Sequence, residues 1–62
     1  MNAEFIKKAR KELGLSQVEL AKKLGFSQNT ISDWEKGKYE PKIIVIQAIT
    51  LMLVEKRGNE DA

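Results

Sequence analysis

The 62-residue sequence contains no cysteine and no histidine. Without cysteine there is no disulfide framework and no thiolate metal site. Without histidine the commonest general base and the commonest metal ligand are both missing. The remaining residues form no acid–base, nucleophilic or metal-binding constellation, which speaks against an enzyme, a cofactor or a bound metal. Long hydrophobic runs are also missing. The longest apolar stretch, 43–54, has 12 residues, well short of the ~20 that span a bilayer. The N-terminus is charged and lacks an apolar segment of its own, so no signal peptide is expected. These absences predict a cytoplasmic chain with no membrane partner. Internal repeats and low-complexity segments are absent too.

The length allows one small domain. A core of this size is marginal, so assembly with a partner is expected before any motif is read. The net charge of +2 is too small to identify a partner, but its distribution says more. Residues 1–42 hold nine Lys/Arg against six Asp/Glu, whereas residues 43–62 hold two against three. The basic excess therefore lies in the first two thirds of the chain.

The four glycines and single proline punctuate a helical pattern. A first helix is expected over 3–13, with Asn2 as N-cap and Gly14 at the C′ position. Phe5, Ile6, Ala9 and Leu13 form its apolar stripe, and Lys7, Lys8 and Lys11 lie away from it. A second helix is expected over 17–24. Ser16 followed by Glu19 is a capping box, and Leu20, Ala21 and Leu24 face inward. Gly25 supplies the positive φ of a sharp turn. A third helix is expected over 28–36, with Ser27 as N-cap, Gly37 as terminator and a Phe26–Ile31 hydrophobic staple. Ile31 and Trp34 point inward. Gln28, Asn29, Ser32, Asp33 and Lys36 share the opposite face at about 100° per residue. A fourth helix is expected from Pro41, at its N1 position, to Arg57, with Gly58 as stop and 59–62 as a disordered acidic tail. The domain is thus expected to cover 1–58.

Two capped helices joined by a tight glycine turn, the second with a short polar outer face, form a helix-turn-helix. This unit lays its second helix in the major groove of double-stranded DNA. The sequence resembles the lambda-repressor/Cro family of helix-turn-helix regulators, also called the Xre type. The matching residues are Arg10, Leu15-Ser16-Gln17, Leu20-Ala21, Gly25, Gln28, Thr30-Ile31-Ser32, Trp34-Glu35, Gly37-Lys38 and Pro41. The resemblance covers about residues 3–42 and implies a compact all-α, four-helix, lambda-repressor-like DNA-binding domain with the helix-turn-helix at helices 2 and 3. It further implies that Gln17 contacts a phosphate, that Gln28, Asn29 and Asp33 sit at base edges, and that Arg10 and Glu35 form a structural ion pair. Many family members have a turn and a fifth helix after Pro41. Residues 42–57 contain no glycine, proline or turn cluster, so one continuous helix is expected here.

Gln28 and Asn29 each suit a bidentate contact to adenine N6 and N7. As plain solvated N-terminal helix residues they would make none. Asp33 has two open roles: it can accept from cytosine N4, or it can pair with Lys36 at i+3 and leave DNA alone. Ser32 fits either setting and leaves room for a thymine methyl. Lys36, Lys38 and Lys42 cluster beside the third helix, which favours phosphate contact for at least one of them over a merely solvated loop. Lys22 and Lys23 are expected to face solvent, and Tyr39 is open between packing and phosphate. Trp34 is expected in the core and not as a base-stacking platform.

Ten of the twelve residues 43–54 are apolar. Their arc on the fourth helix spans about 220°, where packing onto one domain needs about 100°. The surplus points to a homodimer built on 41–57, since two-fold dimers are the commonest assembly and operators mirror them. The expected division puts Ile44, Ala48 and Leu51 in the core and Val45, Ile49, Met52 and Leu53 at the dimer interface. The functional expectation is a sequence-specific transcriptional regulator, a homodimeric repressor of a palindromic operator controlled by its own concentration. The alternative is an antitoxin-type module that binds a toxin through the fourth helix or the tail and autoregulates its operon.

Overall fold

The computed structural model of the chain describes the backbone of residues 2–61 and the side chains of residues 2–58. Four helices and no strands are present among the described residues: α1 (Ala3–Glu12), α2 (Gln17–Leu24), α3 (Gln28–Glu35) and α4 (Ile43–Asp61). The architecture is the expected all-α, lambda-repressor-like one. α2 packs on α3, and α1 bridges α3 and α4.

The first three helices end where glycine lets the backbone turn left-handed. Gly14, Gly25 and Gly37 have φ of 72°, 81° and 77°, values that a side chain makes costly. After each glycine the next amide reaches back five residues: Leu15 to the Arg10 carbonyl at 3.1 Å, Phe26 to Ala21 at 2.9 Å and Lys38 to Asp33 at 2.9 Å. These are Schellman closures, which satisfy carbonyls that the helix leaves open. At the start of α2 the capping box is complete: the Glu19 amide donates to Ser16 Oγ at 3.0 Å, and the Ser16 amide donates to Glu19 Oε1 at 2.8 Å. Ser27 caps α3, its Oγ accepting from the Thr30 amide at 3.3 Å.

The core joins all four helices. Ile6, Ala9, Leu20, Ala21, Ile31, Trp34, Val45, Ile49 and Leu53 are buried, and Phe5, Leu13, Leu15, Leu24, Ile46 and Met52 pack around them. Ala21 gives α2 and α3 room to approach. Phe26 meets the Trp34 ring edge-on, with centroids 5.0 Å apart, a favourable aromatic geometry.

Several sequence expectations are corrected. Asn2 sits before α1 but makes no side-chain cap; its amide instead donates to Glu40 Oε2 at 3.1 Å. Pro41 is not the first residue of α4. The first helical amides, of Val45 and Ile46, close on the Lys42 carbonyl, and Pro41 is buried just ahead of the helix. Gly58 does not stop α4. It keeps a negative φ, and the backbone stays helical to Asp61. Glycine alone costs a helix only about 1 kcal/mol; a stop also needs the left-handed turn. The boundary expected at residue 58 therefore lies within α4, and the end of the expected tail, Ala62, lies outside the described residues.

The largest correction concerns the faces of α4. Val45, Ile49 and Leu53, expected at a dimer interface, are buried in the chain's own core, and Met52 packs against them. Ile44 and Leu51, expected inside, are 69% and 59% exposed, and Ala48 is half-buried. A helix that is apolar nearly all round carries no phase in its pattern. The phase comes from packing on α1 and from the buried entry at Pro41. Arg57 adds a two-pronged contact to Glu12 of α1, at 2.9 and 3.2 Å. This pair is exposed and contributes little, but its geometry agrees with the same rotation.

Candidate nucleic-acid interface

Ser27 and Gly37 bound a helix of two turns, and burial of Ile31 and Trp34 fixes which side of it faces out. On that side Gln28, Asn29 and Lys36 are exposed and Ser32 and Asp33 are half-buried. All five residues expected on one face therefore share it. Asp33 and Lys36 form no ion pair among the described residues, and Asp33 is half-buried. Lys38 and Lys42 are exposed next to α3. Lys38 Nζ lies 5.7 Å from the centre of the Tyr39 ring, within cation–π range, and Tyr39 is itself exposed. Lys22 and Lys23 face solvent.

Behind this face lies a polar network that ties the three helices together. Arg10 Nε donates to Glu35 Oε2 at 2.6 Å and Arg10 Nη2 donates to Glu35 Oε1 at 3.1 Å. The third guanidinium nitrogen, Nη1, donates to the Leu15 carbonyl at 3.0 Å. The Glu35 side chain is 4% exposed and that of Arg10 15%, so the pair is shielded from water. Gln17, at the first position of α2, donates through Nε2 to Glu35 Oε1 at 3.1 Å, and Gln28 Nε2 donates to Gln17 Oε1 at 3.1 Å. Burial works to raise the Glu35 pKa, but the hydrogen bonds from Arg10 and Gln17, with the charges of Arg10 and Lys7, outweigh it and hold the carboxyl below its usual range. The hydrogen bond to Glu35 likewise raises Arg10 above its ordinary value. The pair is therefore ionised, and every buried side-chain polar atom among the described residues has a partner.

The Arg10–Glu35 contact is where the resemblance implied it. The bonds of Gln17 to Glu35 and Gln28 were not read from the sequence, because residues 18 and 11 apart meet only through the packing of α2 on α3. A second unread feature is an apolar hollow of about 310 Å³ lined by Phe26, Trp34, Glu40, Pro41, Lys42, Ile44 and Val45. It adjoins an exposed stripe of α4 that contains Ile43, Ile44, Leu51 and Val54. No group of acidic side chains among the described residues is placed to hold a metal ion. No described helix is long and apolar enough to cross a membrane.

The helix-turn-helix family model matches residues 6–53. The chain belongs to this family. It is a family of DNA-binding transcriptional regulators, not of enzymes. The chain is 46% identical over 49 residues to an uncharacterized HTH-type transcriptional regulator of Methanothermobacter thermautotrophicus, a match covering 79% of this chain and 71% of that protein. It is 42% identical over 49 residues to the ImmF control region 10 kDa protein of Bacillus phage phi105, covering 79% of this chain and 54% of that protein. A shorter match, 47% identical over 38 residues, is to the antitoxin HigA1 of Mycobacterium tuberculosis, covering 61% of this chain and 26% of that protein. The chain thus spans only part of the length of these relatives. No solved structure matches it significantly.

Proposed function

We propose that this helix-turn-helix regulator is a cytoplasmic repressor that binds a palindromic operator as a homodimer, α3 of each copy lying in the major groove. The observation that carries the reading is the outer face of α3. Gln28 and Asn29 project from its first turn, the part of a recognition helix that reaches base edges. Ser32 and Asp33 follow one turn on, and Lys36 and Lys38 stand at its end where phosphates pass. Gln17, at the start of α2, is read as the contact to a phosphate on the other side. Asp33 is the residue to discriminate, since a carboxylate accepts from cytosine N4 and is repelled by phosphate.

Binding to duplex DNA is expected to fall steeply with salt, because each phosphate contact releases counterions. Gln28→Ala should cost about 1–3 kcal/mol and relax preference at one base pair per half-site. Lys38→Ala should weaken binding to all sequences alike and flatten the salt slope by about one. Titration of labelled duplexes at several salt concentrations measures both. A salt-independent affinity, or a Lys38→Ala loss confined to one sequence, contradicts these roles.

The homodimer rests on the exposed α4 stripe and the hollow beside it. Ile43 and Ile44 are 75% and 69% exposed, and Leu51 and Val54 are 59% and 57% exposed. So much apolar surface on one side of a small domain calls for a cover, and a second copy supplies the same stripe by symmetry. The interface read here is therefore Ile43, Ile44, Leu51 and Val54, with the two α3 helices set about 34 Å apart, one turn of DNA. Leu51→Lys is expected to give a folded monomer, read by sedimentation equilibrium with circular dichroism as the check on helix content. A variant that remains dimeric, or a wild type that is monomeric at high micromolar concentration, sinks the α4 interface. The monomeric result would turn attention to the second reading, in which the same face holds a toxin-like protein. The likeness to antitoxin HigA1 favours that reading.

A further inference from the structure

Two residues of α4 have no role in the packing of a single chain. Gly58 lies inside the helix with a negative φ, and nothing stands within 4 Å of the place a Cβ would take. Neither a turn nor a close neighbour within the chain calls for glycine there, although glycine weakens a helix. Gln47 interrupts the apolar run 43–54. The other polar residue of that run, Thr50, donates its hydroxyl to the Ile46 carbonyl at 2.8 Å, whereas the Gln47 side chain makes no hydrogen bond among the described residues. Both stand in line with exposed apolar residues. Ile44, Gln47, Leu51, Val54 and Gly58 are all exposed, and they follow one another at intervals of three, four, three and four. This is the spacing of a seam that meets a second helix. The buried side keeps a different rhythm, with Val45, Ile49 and Leu53 recurring every four residues. Around the helix the seam lies about 180° from them, so α4 turns one face to its own domain and the other to a helix outside it.

We infer that α4 pairs antiparallel with α4 of a second copy, the two-fold axis passing at Leu51. Leu51 then meets its own copy, Gln47 lies opposite the partner's Val54, and Ile44 lies opposite the partner's Gly58. The pairing rests on the reading of the exposed α4 face as the contact between two copies. An axis at Leu51 overlaps the whole seam from 44 to 58, whereas a slip of one heptad leaves half of it in water. Size and charge select the antiparallel sense. In it Ile44 covers the bare backbone at Gly58, the large-against-small match of a close-packed contact; a parallel pair sets glycine against glycine and leaves a gap. Residues 36–42 hold three Lys against one Glu, and residues 55–61 hold three Asp/Glu against two Lys/Arg. Antiparallel helices bring the basic end of each copy to the acidic end of the other and oppose the two helix dipoles. Parallel helices join like to like. The same alignment sets the Gln47 amide level with the partner's Glu55, a carboxylate that accepts from it.

The chain has no cysteine, so single introduced cysteines report the pairing without background. The variants are Ile44→Cys, Gly58→Cys and, as a control on the exposed side of α2, Lys23→Cys. Each is treated with oxidised glutathione, alone and in equal mixture, and covalent dimers are followed by non-reducing electrophoresis. Sedimentation equilibrium of the reduced proteins establishes the dimer, and circular dichroism the helix content. With the axis at Leu51, position 44 stands about 21 Å along the helix from its own copy, beyond the Cα separation of about 7 Å that a disulfide spans. Ile44→Cys alone and Gly58→Cys alone should therefore link no faster than Lys23→Cys. Their mixture should link about tenfold faster, because pairing makes the reaction intramolecular. Should either substitution dissolve the dimer, Gln47→Cys mixed with Val54→Cys is the second pair, with the same expectation. Self-linking that outpaces the mixture shows parallel helices and overturns the inference. A dimer whose mixtures link no faster than the control overturns it too, since its contact then lies off the seam. A wild type that is monomeric at high micromolar concentration instead overturns the reading of this face as a contact between copies, and the pairing falls with it. Sedimentation and cross-linking thus tell the two failures apart.

Discussion

Glu35→Ala is expected to lower the melting temperature by more than about 10 °C, the equivalent of about 3 kcal/mol in a domain of this size. The cause is what the substitution leaves behind. Arg10 is mostly buried and gives two of its three donor nitrogens to Glu35. With the carboxylate gone, a shielded guanidinium keeps its charge and loses its counterion, and Gln17 loses its acceptor. Substitutions on the outer face of α3 remove exposed side chains and should shift the melting temperature by far less. Thermal denaturation of Glu35→Ala beside Gln28→Ala makes the comparison. Equal melting temperatures for both contradict the role given to the pair. The pH dependence has a definite sign. The Glu35 carboxyl titrates lower in the folded chain than its ordinary value, which is about 4.3 in the unfolded chain. Its contribution is then fully present above the unfolded value and is lost as pH falls through the folded one. Wild-type stability should therefore drop on acidification below about pH 4. In Glu35→Ala that part of the drop should be missing.

Ile49→Lys is expected to yield no folded chain, whereas Leu51→Lys, two residues away, should keep its helices. Ile49 is fully enclosed at the centre of α4, and even Ile49→Ala should cost about 3 kcal/mol through lost contacts and the cavity left behind. A lysine there must bury an unpaired ammonium or force the helix off the core. Stability in a small domain amounts to a few kcal/mol, so either cost exceeds it. Leu51 is 59% exposed and carries no such cost in the single chain. Circular dichroism of the two variants decides which face of α4 is the core. A folded Ile49→Lys would falsify the packing described.

What the sequence disclosed and what it hid divide along a physical line. Caps and turns are written locally: Ser16 with Glu19, Ser27, and the left-handed Gly14, Gly25 and Gly37 each act on neighbours within a few residues, and α2 and α3 follow from them almost to the residue. The inward faces of α1, α2 and α3 were legible because each has one apolar stripe. α4 has nearly no polar side among 43–54, so its rotation was set by tertiary packing and its core and exposed faces were exchanged in the reading. Asn2 shows the same limit in small: its oxygen makes no cap with the α1 amides, while its NH2 donates to the distant Glu40. The residues of the α3 outer face could be placed from the 100° step alone. The Glu35–Gln17–Gln28 chain could not, because amide orientation depends on distances set by packing.

The central claim is that α3 reads DNA sequence, and selection of bound duplexes from a random pool by the wild-type chain tests it most directly. The predicted result is enrichment of one motif repeated in inverted orientation, half-sites about one helical turn apart, in which Gln28→Ala loses preference at a single base pair of each half. A folded wild type that enriches no sequence at any salt concentration contradicts the claim.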